Sequence, residues 1–165
     1  MLKIIGASVI LTSCISIGFM KSLRMRKRCE NLSALIAATE RIGAEISFSK
    51  MRLERIFNEA ARDFNLPVFS DAAFMMLRLG TKSAIIRSLK KYADDMALTE
   101  NDLKAAKNLG AIGDFAGDEQ QRCITTTIKL LELSLAEAKD NYNKGGKLYR
   151  SCGILFGLLG VILLF

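Results

Sequence analysis

Histidine and tryptophan are absent from this chain, and proline occurs once in 165 residues. Without histidine the commonest general base and the usual catalytic triads are excluded. The four cysteines, Cys14, Cys29, Cys123 and Cys152, follow no C-x-x-C spacing, so with no histidine to join them they offer no zinc site. They read as free thiols that behave as small apolar residues. No phosphate-cradling P-loop, nucleophile elbow or dinucleotide-binding glycine motif is present. The sequence therefore reads as a non-enzyme, with no cofactor and no metal.

What is there is segregated. Residues 4–20 and 151–165 carry no charge, while the rest of the chain holds nearly all of it. With a few flanking residues each run approaches the roughly 20 residues of an upright bilayer span. The expected organisation is an N-terminal transmembrane helix over 1–20, a helical domain over 21–147 and a C-terminal transmembrane helix over 148–165. Within the last run Gly153 and Gly157 form a GxxxG pair followed by Gly160, small residues that let another helix approach closely in lipid. Packing against the first apolar helix, through Ser8 and Thr12 or Cys14 and Gly18, is preferred over dimerisation.

A net charge of +7 would ordinarily suggest nucleic acid, but its distribution does not. Lys21, Arg24, Arg26, Lys27 and Arg28 directly follow the first apolar run, and Lys144, Lys147 and Arg150 directly precede the last. Between Cys29 and Asn143 there are 15 basic and 17 acidic residues, so the middle is slightly acidic. Basic residues beside membrane segments are retained in the cytoplasm, which places the domain there and gives the collar anionic lipid as its natural partner.

Between the ends the periodicity is helical. Leu32, Leu35, Thr39, Ile42 and Ile46 form one stripe of a helix that breaks near 47–50. A second helix carries Leu53, Ile56, Phe57 and Ala60 and stops before Asn65-Leu66-Pro67. Ser70-Asp71 is expected to cap a third holding Phe74, Met75, Leu77 and Leu79, ended by Gly80. Thr81 starts a fourth with Ile85, Ile86, Leu89 and Tyr92 inward, and Thr99 to Asp102 resembles the start of a fifth. Leu109 to Phe115 reads as a helix end and tight turn. Asp118 is the expected N-cap of a long helix whose Ile124, Ile128, Leu131, Leu135, Ala138 and Tyr142 make a heptad seam. Gly145-Gly146 would weaken that helix as a hinge, a kink or a frayed segment. The fold class is all-α: a cytoplasmic helical bundle held by two terminal membrane helices.

The order of these features resembles a known family. An apolar helix opening Met1-Leu-Lys3, a basic collar, Glu45-Ile46, Leu109-Gly110-x-x-Gly113 shortly before Asp118 and Gln120-Gln121, and Lys147-Leu-Tyr-Arg150 leading into a Gly-rich apolar run together resemble the stage III sporulation protein AB family. The resemblance covers essentially the whole chain. It departs at Gly145-Gly146 and Cys152-Gly153, where a more regular helix is expected. The family is similar to the F-type platform proteins of type II secretion and type IV pilus systems. The resemblance implies a component of the secretion-like complex between mother cell and forespore, in the mother-cell membrane, with the complex's ATPase, stage III sporulation protein AA, as partner.

Two functions are weighed. The first is a non-enzymatic scaffold that docks the ATPase to a channel, through the segments Asp63 to Phe69, Arg87 to Asp95 and Leu109 to Asp118; Arg87, Lys90, Lys91, Asp94 and Asp95 are its candidate docking residues. A solvated helix face explains all five equally well. The alternative is a lipid-surface or membrane-remodelling protein acting through the basic collar. Partners are thus other components of the complex and membrane lipids, with self-association left open and no nucleic acid.

Overall fold

The structure is a computed structural model that describes the backbone of residues 2–49 and 51–164; side chains of 2–5, 7, 10, 11, 147, 150, 153, 156, 163 and 164 are not described. Two long helices, α1 (Leu2–Phe48) and α6 (Asp118–Leu164), flank four short ones: α2 (Leu53–Asp63), α3 (Pro67–Leu79), α4 (Thr81–Tyr92) and α5 (Glu100–Lys107). A 3-10 turn, Asn108–Gly113, joins α5 toward α6. The chain forms two compact units, one of residues Met1–Cys29 with Glu137–Phe165, the other of Glu30–Ala136.

No helix is, over its described residues, long and apolar enough to cross a membrane. The spans expected over 1–20 and 148–165 are therefore not supported. The uncharged runs fall short of about 20 residues, and Ser8, Thr12, Ser13 and Ser16 dilute the first of them. Each apolar run belongs instead to a 47-residue helix that continues into charged sequence.

In the second unit α1 and α6 run antiparallel, because Gly43 meets Ile124 while Ser47, one turn further along α1, donates its hydroxyl to Gln121, earlier in α6, at 3.1 Å. Gly43 is what allows the approach: a Cβ there would lie 2.9 Å from the Ile124 Cγ2. The α1 stripe is buried at Leu32, Leu35, Thr39 and Ile42, and half-buried at Ile46. Thr39 hides its hydroxyl by donating to the Leu35 carbonyl at 2.7 Å.

The α6 seam runs half a step from the expected one. Ile124, Leu131 and Ala138 are buried as expected, but Thr127 and Ser134 share that face while Ile128, Leu135 and Tyr142 are half-buried. Small side chains suit a close helix pair, and Thr127 satisfies its hydroxyl at the Cys123 carbonyl, 2.8 Å away. The helix begins at Asp118, with Gly117 at φ 63° ahead of it, one position earlier than an Asp118 cap requires.

The short helices close the bundle. α3 packs on both α2 and α4, and α4 packs on α5 and the 3-10 turn. Phe57 of α2 and Phe69 of α3 meet edge to face, ring centroids 5.4 Å apart, both fully buried. Ser88 of α4 donates to the Val68 carbonyl of α3. Thr99 and Asp102 form a capping box at the start of α5, as their spacing predicts. The Asn31 amide of α1 donates to the Met96 carbonyl at 2.9 Å, tying the turn after α4 to the long helix.

One expectation is corrected. α3 starts at Pro67, not behind a Ser70-Asp71 cap, since proline loses nothing at the first helical position. It buries Val68, Phe69, Ala72, Ala73 and Met76. Phe74 is left 73% exposed and Leu77 77% exposed. In α4, Ala84, Ile85, Ser88 and Leu89 are buried while Ile86 and Tyr92 are half-buried.

Candidate functional site

In the first unit the two helical arms pack antiparallel. Arg28 sits 3.8 Å from Glu137, Met25 lies against Gly145, and Ser22 against Gly146, so positions fall along α1 as they rise along α6. The helix is unbroken at Gly145-Gly146. A Cβ at Gly145 would stand 3.2 Å from the Met25 methyl, so the glycine admits the neighbouring arm.

Apart from Arg28, the buried positions along the arms carry small side chains, while larger ones, Met25, Leu148 and Tyr149, line the groove between them. Gly18, Ser22, Gly146 and Gly157 are buried, and Cys14, Cys152 and Gly160 are half-buried. Cys14 and Gly18 face the other arm across an open groove of about 710 Å³, which Leu148 and Cys152 also line. Gly153 lies in α6, but its surroundings are outside the described residues.

The outside of the arms is apolar. Phe19, Met20, Leu155, Leu158 and Ile162 are all exposed, and Ile17, also exposed, lines the groove. Small residues within and large apolar ones without reverse the order of a water-soluble helix pair.

The basic collar divides by role. Lys21, Arg24, Arg26 and Lys27 are exposed, whereas Arg28 is buried and paired with Glu137. Lys144 is exposed and hydrogen-bonds Asp140 at 2.6 Å. The side chains of Lys147 and Arg150 are outside the described residues.

The candidate docking residues on and after α4, namely Arg87, Lys90, Lys91, Asp94 and Asp95, are all exposed. Lys91 is already engaged. Its ammonium donates to Asp71 of α3 at 2.9 Å and lies 5.1 Å from the Tyr92 ring centroid. The hydrogen bond to Asp71 raises its pKa above the ordinary lysine value. Arg87 and Lys90 make no ion pair with a described residue.

The other two suspected segments divide between core and surface, with Asp63, Asn65 and the run from Gly113 to Asp118 exposed. Leu66, Val68 and Phe69 belong to the core, as do Leu109 and Ile112. The Leu109 to Gly113 segment is a tight turn, as read from sequence, and its glycines let it press on the start of α4. A Cβ at Gly110 would lie 3.1 Å from the Lys82 Cα, and one at Gly113 2.6 Å from Thr81. α6 fastens the same turn, with Gln120 donating to the Ile112 carbonyl at 2.9 Å and the Cys123 thiol to the Asn108 carbonyl at 3.3 Å. Burial raises the Cys123 pKa, which keeps the thiol neutral and poorly nucleophilic. Among the described residues no three His, Cys, Asp or Glu side chains gather as a metal site.

Sequence reasoning placed Phe74 and Leu77 on this helix without finding that they are exposed. The signal was present: with Val68, Phe69, Ala72, Ala73 and Met76 as a second apolar set, α3 has more apolar residues than one face holds.

Comparison with known proteins accounts for the whole chain. The family model described as stage III sporulation protein AB matches residues 3–165. The stage III sporulation protein AB of Bacillus subtilis (strain 168) is 30% identical over 174 aligned positions, covering 99% of each chain. A solved structure of a stage III sporulation protein AB superposes with a TM-score of 0.63 at 26% identity, covering 70% of this chain and 96% of that one.

Proposed function

The chain belongs to the stage III sporulation protein AB family, and from that premise we propose that it is a non-enzymatic platform of a sporulation secretion-like complex between mother cell and forespore. It holds a cytoplasmic ATPase, stage III sporulation protein AA, at the membrane beside the channel. The observation that carries this reading is the polarity of the arm pair, with glycine and serine at buried positions and large apolar side chains exposed. Such a surface is stable when lipid, rather than water, surrounds it. The pair enters the bilayer as a unit, without either helix having to cross it. Lys21, Arg24, Arg26 and Lys27 then meet anionic headgroups on the cytoplasmic side.

Arg87 and Lys90 support the docking half of the proposal, since they are exposed cations without an acidic partner among the described residues. The test is binding of the purified ATPase to the full chain reconstituted in vesicles. Arg87→Glu/Lys90→Glu is expected to weaken it about tenfold at moderate salt, mainly through slower association. Unchanged affinity of the reversed variant would remove these residues from the interface.

A further inference from the structure

We propose that Phe74 and Leu77 are the apolar centre of a docking surface on the outer face of α3, and that its occupant is an acidic amphipathic helix of a partner protein. This rests on the docking reading above and gives that surface a chemistry. Phe74 and Leu77 are three residues apart on one helix and therefore adjacent on its surface. The inner face of α3 is already filled by Val68, Phe69, Ala72, Ala73 and Met76, so the exposed pair has no packing role in its own bundle. Two large apolar side chains side by side and mostly open to solvent mark a place where something else binds.

The charges around the pair select the partner. Arg78 follows Leu77 and is exposed. α4 packs on α3, and Lys91 of α4 reaches Asp71 of α3. Arg87 lies about one helical turn before Lys91 on α4 and is exposed. Lys90 adjoins Arg87 on the outer side of α4. Arg78, Arg87 and Lys90 make no ion pair with a described residue, whereas Asp71 of α3 is bound by Lys91. An apolar centre with a cationic rim complements a helix that has an apolar stripe bordered by Glu or Asp.

The experiment uses the full chain in nanodiscs of phosphatidylglycerol and phosphatidylethanolamine. The probes are a fluorescent amphipathic peptide of Leu, Ala and Glu and its Lys-for-Glu counterpart, with empty discs as blank. The Glu peptide is expected to bind the native chain and to lose at least about tenfold in affinity with Phe74→Ser/Leu77→Ser. Arg78→Glu/Arg87→Glu/Lys90→Glu should cost as much and turn the preference to the Lys peptide. Both variants replace exposed side chains, so thermal midpoints should match the native chain.

Equal binding of the Glu peptide by native and Ser variants, or no binding to either, overturns the proposal. So does self-association of the native chain in sedimentation that Phe74→Ser/Leu77→Ser abolishes, because the surface would then belong to a second copy. If the peptide results hold and the ATPase fails to bind the native chain, the surface stands and the ATPase assignment falls.

Discussion

Truncating Phe57 to alanine is expected to lower the stability of the bundle by about 3–5 kcal/mol, most of the margin of a typical domain. The ring is fully buried and meets Phe69 edge to face at 5.4 Å, with the ring planes 87° apart. Its removal forfeits the transfer of a whole aromatic side chain from water and leaves a cavity where α2 meets α3. The lost edge-to-face contact accounts for about 0.5–1.5 kcal/mol of the total. Hydrogen exchange of the α3 amides in the full chain reads the opening free energy directly. Phe57→Leu should cost less than half as much, since it refills most of the space. A loss below about 1 kcal/mol for the alanine variant would mean that α2 and α3 do not depend on each other.

The second large effect is expected at the tight turn. Gly113→Ala places a methyl carbon 2.6 Å from both Cβ and Oγ1 of Thr81, at the first residue of α4. Neither atom is the far end of a flexible chain, so helix and turn must move apart. Overpacking of this kind costs about 1–3 kcal/mol. The cause is checked by coupling. Thr81→Gly removes both clashing atoms, so the double variant should be less destabilised than the two single changes summed. Simple addition of the two losses would show that the clash is not the reason.

These two sites also show what could be read from the residues alone. The stripe on α1, the start of α5 and the buried face of α2 follow from apolar spacing and capping residues, whereas in α4 only Ile85 and Leu89 of the four expected residues are buried. α3 has two apolar sets, and periodicity does not say which one packs. Ala72 and Ala73 decide it, since only small side chains let α2 and α4 lie close on both sides. The α6 seam shifted for a related reason: Thr127 can be buried once its hydroxyl bonds the preceding turn, which a hydropathy pattern does not register.

Glycine was legible in kind but not in role. Leu109 to Gly113 was recognisable as a turn, yet its contact with Thr81 and Lys82 joins residues far apart in sequence. Gly145 and Gly146 suggested a weak point in a helix, and they are instead where the other arm comes closest. The basic collar was visible as a cluster, whereas the burial of Arg28 against Glu137 depends on the arms packing antiparallel.

The proposal turns on where the arms reside. In a variant with its four cysteines changed to serine, nitroxide labels attached through Leu155→Cys on an arm and Leu133→Cys on the bundle distinguish lipid from water. Both native side chains are exposed, at 65% and 69%. In vesicles of phosphatidylglycerol and phosphatidylethanolamine, the arm label should collide with dissolved oxygen and be shielded from a water-soluble nickel chelate, while the bundle label shows the reverse. Equal chelate access at both positions would contradict a membrane-held platform.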